Sequence, residues 1–294
     1  MQSDRLDLLR GLIETRQWDH AWAEFQRLQS EGPCSARLLW LGSLAAFWRR
    51  ELFHARQLAE VALGARTAAE PHLVLGEIRF HLGMITRELG DTYVALEQFQ
   101  LFLQELPILY PELAMGEGKA YYYLALTQRQ RRDLDGSAES YQRAIACCRR
   151  DGLPSLLCMC LHNLAWIHCI KGSAPEARAC LEEAASLLAT RELRVHHTLG
   201  EAYLALVEGD LFAAADRCER IFRQSGPGDR ATAEEQSQAA WIAGMVALEQ
   251  GNLVSASQLA EIALNFGTEA KESRLMNDAG SLRRLILTRK QAGA

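Results

Sequence analysis

The sequence predicts an all-α array of about seven helix-turn-helix units closed by a C-terminal capping helix. Three observations carry this. A small residue recurs at Ala21, Ala55, Ala95, Ser137, Ala177, Ala214 and Ala256, at separations of 34, 40, 42, 40, 37 and 42 residues. Self-similarity at such a period signifies a repeat architecture. Gly90-Asp91, Gly209-Asp210 and Gly251-Asn252 precede three of these positions, a pairing that stops one helix on a left-handed residue and opens a turn. Proline is sparse at 7, and no β-alternating run exceeds a few residues.

The units follow in order. Each second helix opens near its small residue, and a small residue 12 positions earlier (Gly83, Ala125, Ala165, Gly244) belongs to a first helix. Small residues there let two helices approach closely, while Leu82, Phe99, Tyr141 and Leu181 fill the space alongside. The first two units, 5–30 and 37–66, are the most degenerate, because Leu9 and Ser43 stand where the small first-helix residue belongs. The third, 76–107, runs through Leu82-Gly83, Gly90-Asp91, Ala95, Phe99 and Phe102 to a closing Pro107. A long connection over 105–118, with Pro107, Pro111, Gly116 and Gly118, is expected to interrupt the helices. The fourth, 118–148, carries Leu124-Ala125, Arg132-Asp133, Ser137, Tyr141 and Ala144, and Pro154 falls just beyond it. The fifth, 158–188, carries Leu164-Ala165, Gly172, Ala177, Leu181 and Ala184. The sixth, 195–224, carries Ala214, Cys218 and Ile221, and the polar connection 223–237 after it is expected to be the most mobile. The seventh, 237–266, carries Gly244, Ala256, Ala260 and Ala263. Residues 1–268 then form one array, because each pair leaves an apolar face that only a neighbour can cover. Residues 269–294 form the cap and tail. Its helix, about 269–290, turns Leu275, Met276, Ala279, Leu282, Leu285 and Ile286 inward and Arg283, Arg284, Arg289 and Lys290 outward.

Composition agrees with a soluble globular chain, at 49% apolar and 23% charged residues. A net charge of −5 argues against a phosphate-binding protein. No apolar run is long enough to span a membrane, and the start MQSDRLDLLRGL does not read as a signal peptide. Only 4 lysines stand against 28 arginines, which points to a GC-rich, bacterial source. Eight cysteines without an export signal imply a reducing, cytoplasmic setting. Cys158, His162 and Cys169 share one helix face, but their spacing matches no zinc signature, so they are read as small packing residues and no metal or cofactor is expected. There is no GxxxxGK[ST], HExxH or GxSxG, so an enzyme is not expected. The basic clusters 129–132, 149–150 and 283–284 read as solvated helix ends rather than a nucleic-acid surface.

The recurrent Leu-Gly pair, Gly-Asp turn, Ala and aromatic of 76–107 resemble the tetratricopeptide repeat family, as do LHNLAWIHCIKGSAPEARACLEEA and AAWIAGMVALEQGNLVSASQLAEIAL. The resemblance covers roughly 5–266, and its period near 40 is similar to the long variant found in bacterial peptide-sensing regulators. It implies a right-handed superhelix that binds a peptide or protein segment on its concave side. It also implies that first-helix residues build the inner wall. Carried over onto this sequence, that wall holds Trp40, Phe47, Trp48, Phe80, His81, Met84, Arg87, Tyr122, Tyr123, Arg129, His162, Asn163, Trp166, Tyr203, Trp241 and Met245. Leu44, Glu77 and His196 fall on the same register. Asn163 stands where related sensors hold an extended peptide backbone. Tyr122 and Leu126 stand where a chaperone-tail carboxylate clamp would need a basic residue and an amide, so that clamp is disfavoured.

Tyr, Trp and Arg supply most interface hot spots, so this wall points to a peptide groove. Arg87 and Arg129 share a wall position, and an anion from Glu77, from Glu88 or from a partner's carboxylate is expected to bridge them. The expected function is a non-enzymatic protein- or peptide-binding module of a regulatory or signalling complex. A ligand- or peptide-sensing arm of a transcription regulator, and a structural assembly adaptor, are the alternatives. Neither nucleic acid nor membrane is an expected partner.

Overall fold

A computed structural model describes residues 2–65, 72–109, 114–223, 231–270 and 273–292. Among them are fifteen helices and no strand. The helices pair as α1 (Gln2–Glu14) with α2 (Trp18–Ser30), α3 (Ala36–Trp48) with α4 (Leu52–Gly64), and α5 (His72–Glu88) with α6 (Thr92–Leu109). They continue as α7 (Ala114–Gln130) with α8 (Leu134–Asp151), α9 (Pro154–Ile170) with α10 (Ala174–Ala185), α11 (Arg191–Val207) with α12 (Leu211–Arg223), and α13 (Ala233–Glu249) with α14 (Leu253–Glu269). The last helix, α15 (Ser273–Ala292), has no pair. Packing divides the chain into two compact units, Met1–Cys147 and Cys148–Ala294.

One turn recurs in all seven pairs. Three residues separate the helices of each pair, and the middle one is left-handed, namely Arg16, Arg50, Gly90, Arg132, Gly172, Gly209 and Gly251, with φ between 60° and 83°. The amide after it reaches back five residues, as in Asp91 N–H to Thr86 O at 2.8 Å and Asn252 N–H to Ala247 O at 2.8 Å. The middle amide bonds three residues back, as in Gly90 N–H to Arg87 O at 3.0 Å. Together these satisfy carbonyls that the ending helix leaves open. The Gly-Asp and Gly-Asn pairs mark this turn in sequence. Three arginines occupy it elsewhere, at a position where side chains other than glycine are strained.

In the first unit, small residues let helices touch. A Cβ on Gly83 would lie 2.8 Å from the Phe99 ring, and one on Gly42 would lie 2.4 Å from Phe25. Ser43 is no departure from the pattern, contrary to the sequence expectation. It is fully buried and its hydroxyl donates to the Ala55 carbonyl at 2.7 Å, while Ser137 donates to the Ala125 carbonyl at 2.7 Å. A hydroxyl thus ties the two helices of a pair across the same 12-residue register, from the first helix in one case and from the second in the other. Leu9, Phe25, Leu41, Ile78 and Ile85 form the buried centre of α1–α5. Pro107 lies inside the last turn of α6 rather than beyond it. Gly116 and Gly118 lie inside α7, which starts at Ala114, so they interrupt nothing. Pro111 lies outside the described residues.

In the second unit, Pro154 opens α9 at its first turn, where the missing N–H costs nothing. Val195, Leu199, Ile221 and Ile242 are buried between α9 and α13. Thr232 and Glu235 form a reciprocal capping box that starts α13, so only 224–230 of the expected mobile connection lies outside the described residues. Gly267 falls within α14, and the last helix starts at Ser273 rather than near 269. On α15, Leu275, Ala279, Leu282 and Ile286 are buried as expected, but Leu285 is exposed. No described helix is long and apolar enough to cross a membrane.

Candidate functional site

The sequence places its site residues on first helices, and within each unit several of them meet. In the first unit α3 and α5 line a half-open cavity of about 240 Å³. Trp40, Leu44, Phe47 and Trp48 line it from α3, and Glu77, Phe80, His81 and Met84 from α5. Its side chains recur at the three- and four-residue spacing that aligns one helix face. Phe47 stands edge-on to both Trp48 and His81, with ring centroids 5.3 Å apart in each case. Trp48 is 48% exposed and stacks on Trp18 of α2 at 5.2 Å and 15°. Sequence reasoning missed Trp18, because a second-helix residue was not assigned to the wall.

His81 is 3% exposed, and burial lowers its pKa to about 4, against a weaker opposing effect from a hydrogen bond to the Ser43 backbone. The ring is therefore neutral at neutral pH. Its Nε2 is buried without a hydrogen-bond partner, as is the indole Nε1 of Trp40. Glu77 is half-buried, and desolvation pushes its carboxyl upward against the pull of Arg10 and Arg37.

The rest of the first-unit wall is partly used in packing. Phe80 packs edge-on to Phe99 at 5.8 Å and to Tyr123 at 5.5 Å. Tyr122 is buried against Tyr123 and Tyr141. Arg87 pairs with Glu88 of its own helix and lies 5.9 Å from the Tyr123 ring centre. The anion beside Arg87 is thus its chain neighbour. Arg129 ends the same face of α7.

In the second unit Trp166 of α9, Tyr203 of α11 and Trp241 of α13 form a three-ring cluster. Centroids are 4.5 Å apart for Trp166 and Tyr203, 5.3 Å for Tyr203 and Trp241, and 5.9 Å for Trp166 and Trp241. Three consecutive first helices thus each contribute one ring. Met245 packs near Trp241 against α14 and α15. Asn163 donates its amide to the Met159 carbonyl at 2.8 Å within α9.

His162 is buried, and its Nε2 lies 3.2 Å from Nδ1 of His197 rather than of His196. His197 in turn lies 3.8 Å from Glu201, which meets Arg217 at 3.5 Å. Burial first, then the nearby His197 and His196, lower the His162 pKa to about 3. Two neutral imidazoles sharing one N–H fit that distance.

All eight cysteines are free thiols. Burial pushes Cys158 up to about 11 and Cys169 up to about 12, which suits packing rather than thiolate chemistry. Among the described residues no three metal-capable side chains converge. The basic clusters are engaged locally, with Arg149 on Glu183 at 2.7 Å, Arg283 on Glu261, and Arg131 at 3.9 Å over Tyr93.

No family model matches this sequence, and no curated protein matches it. Solved structures match its fold. A tetratricopeptide repeat protein from Parabacteroides merdae is 16% identical with a TM-score of 0.64, over 94% of this chain and 98% of that one. A Rap protein complexed with competence and sporulation factor is 14% identical with a TM-score of 0.65, over 98% and 87%. The quorum sensor NprR from B. thuringiensis, in its apo form, is 13% identical with a TM-score of 0.64, over 96% and 80%. The fold is that of a tetratricopeptide-type helical repeat array.

Proposed function

We infer that the chain is a non-enzymatic module that binds a peptide or protein segment along its first helices. It would work in the cytoplasm of a bacterium as part of a regulatory or signalling complex, with no contact to nucleic acid or membrane. The α3–α5 cavity carries this reading. It is lined by aromatic rings and includes a half-exposed Trp48. The Trp166–Tyr203–Trp241 cluster offers a second anchor of the residue types that dominate interface energy.

A peptide-sensing arm is the second reading. The likeness to a Rap protein complexed with competence and sporulation factor, and to the quorum sensor NprR, favours it over a purely structural adaptor. The test is selection of binders to the full chain from a random peptide display library, followed by affinity measurement. Trp48→Ala, and Trp166→Ala combined with Asn163→Ala, should each weaken the selected peptides at least about tenfold with the helical circular-dichroism signal retained, as removal of a hot spot does. Equal affinity for the variants would contradict the assignment.

A further inference from the structure

We propose that the turns of the first unit form a second docking edge, one that takes an acidic, apolar-bearing segment of a partner protein. This edge lies at the entrances of second helices, so it is separate from the first-helix groove and does not depend on the peptide-binding reading above. Phe53, Tyr93, Phe212 and Val254 are 71% to 85% exposed, whereas every other exposed large apolar side chain among the described residues is at most 57% exposed. All four hold one register position, the second residue of α4, α6, α12 and α14. Apolar side chains scattered singly over a surface are ordinary. Recurrence at one position on consecutive second helices makes a surface instead, with Phe53 and Tyr93 in the first unit and Phe212 and Val254 in the second.

In the first unit arginine joins these rings. The left-handed residue is arginine in three of its four turns, Arg16, Arg50 and Arg132, whereas glycine fills it in every turn of the second unit. Left-handed backbone strains any side chain, and strain of this kind clusters at functional sites. Rings and turns lie together. Arg56, one turn along α4 from Phe53, pairs with Asp91 at the entrance of α6 at 3.2 Å. Arg131 of the next turn lies 3.9 Å from the centre of the Tyr93 ring.

Charge selects the occupant. The acids of these turns are engaged within the chain. Glu51 pairs with Arg49 at 3.0 Å, Asp91 pairs with Arg56, and Asp133 accepts from the Gly136 amide at 3.0 Å. Arg16, Arg131 and Arg132 are exposed and make no ion pair among the described residues. Guanidinium forks match carboxylates through two parallel hydrogen bonds. Acids interleaved with the arginines, and a net charge of −5, disfavour a polyphosphate partner. A segment that alternates carboxylates with apolar side chains meets both the unpaired arginines and the bare rings.

The test selects random displayed peptides on the full chain and sorts them by affinity for two variants. One is Phe53→Ser with Tyr93→Ser, the other Arg50→Gly with Arg132→Gly. All four side chains are exposed, and glycine relieves the left-handed strain, so loss of binding cannot come from unfolding. A class of peptides rich in Asp, Glu and apolar residues should weaken at least about tenfold on each variant, as loss of interface hot spots does. Added salt should weaken that class further, and Trp48→Ala should leave it unchanged. Selection that yields only peptides indifferent to both edge variants, or none, would overturn the edge, even where Trp48→Ala abolishes their binding and the groove reading stands. Edge-dependent peptides without enrichment in acids would overturn the carboxylate assignment. A single-stranded oligonucleotide that binds tighter than any selected peptide, and is lost on the arginine variant, would overturn a protein partner.

Discussion

Arg132 holds a left-handed backbone, φ 65°, in the turn that ends α7, and Arg132→Gly should stabilise the protein. The conformation costs an L-residue roughly 1–2 kcal/mol. Glycine adopts it freely but brings an unfolded-state entropy penalty of about 0.5–1 kcal/mol. The difference is a gain of roughly 0.5–1 kcal/mol. Arg132 is exposed, so little side-chain packing opposes the gain. The mirror experiment is Gly209→Ala at φ 80°, where an added Cβ meets nothing within 4 Å. Backbone strain outweighs the entropy that glycine costs, and stability should fall by roughly 0.5–1 kcal/mol. Urea unfolding followed by far-UV circular dichroism reads both as opposite shifts of the midpoint at constant slope. Arg132→Gly lowering the midpoint would refute the idea that backbone strain governs this turn.

Other outcomes follow from burial. His81 and His162 stay neutral in the fold, with pKa near 4 and near 3, whereas the unfolded chain protonates its histidines near 6.5. Above about pH 6.5 neither state is protonated and there is no penalty. As pH falls from about 6.5 toward 4 and then 3 the unfolded state alone gains protons, so stability should drop by a few kcal/mol in total, with His162→Leu losing less between pH 7 and pH 5 than the parent. Cys158 and Cys169, both buried with raised pKa, should resist a thiol reagent in the native protein and react on denaturation, and elemental analysis should find no stoichiometric zinc. Rapid native labelling of both would overturn their packing role.

The repeat was legible because its determinants are local. Gly83, Ala125, Ala165 and Gly244 each sit 12 residues before a small partner, and that spacing follows from one helix, a three-residue turn and the next helix. The arginine-bearing turns at 16, 50 and 132 were harder to read, because a strained arginine carries no mark of its own and shows only when aligned with Gly90 or Gly251. Ser43 reads as a break in the pattern, yet it is itself small and a hydrogen bond to Ala55 makes it compatible with burial. Pro107 stops nothing because a proline in the last turn removes few hydrogen bonds.

The candidate site was legible at the level of faces and not of contacts. Trp40, Phe47, Phe80, His81 and Met84 meet at one cavity as the wall register implies, and Trp166, Tyr203 and Trp241 meet as a cluster. Trp18 comes from a second helix, and His162 meets His197 rather than His196, single contacts that a register does not carry. Arg87 reads as a ligand-facing charge, but its neighbour Glu88 takes it locally.

A peptide bound along the first helices, as proposed, would leave a footprint in backbone amide exchange. Amide hydrogen exchange of the full chain, with and without a selected peptide at saturating concentration, tests it most directly. New protection is expected in α3 and α5 of the first unit and in α9, α11 and α13 of the second, with second helices unchanged. Protection confined to the second helices or to α15 would contradict it.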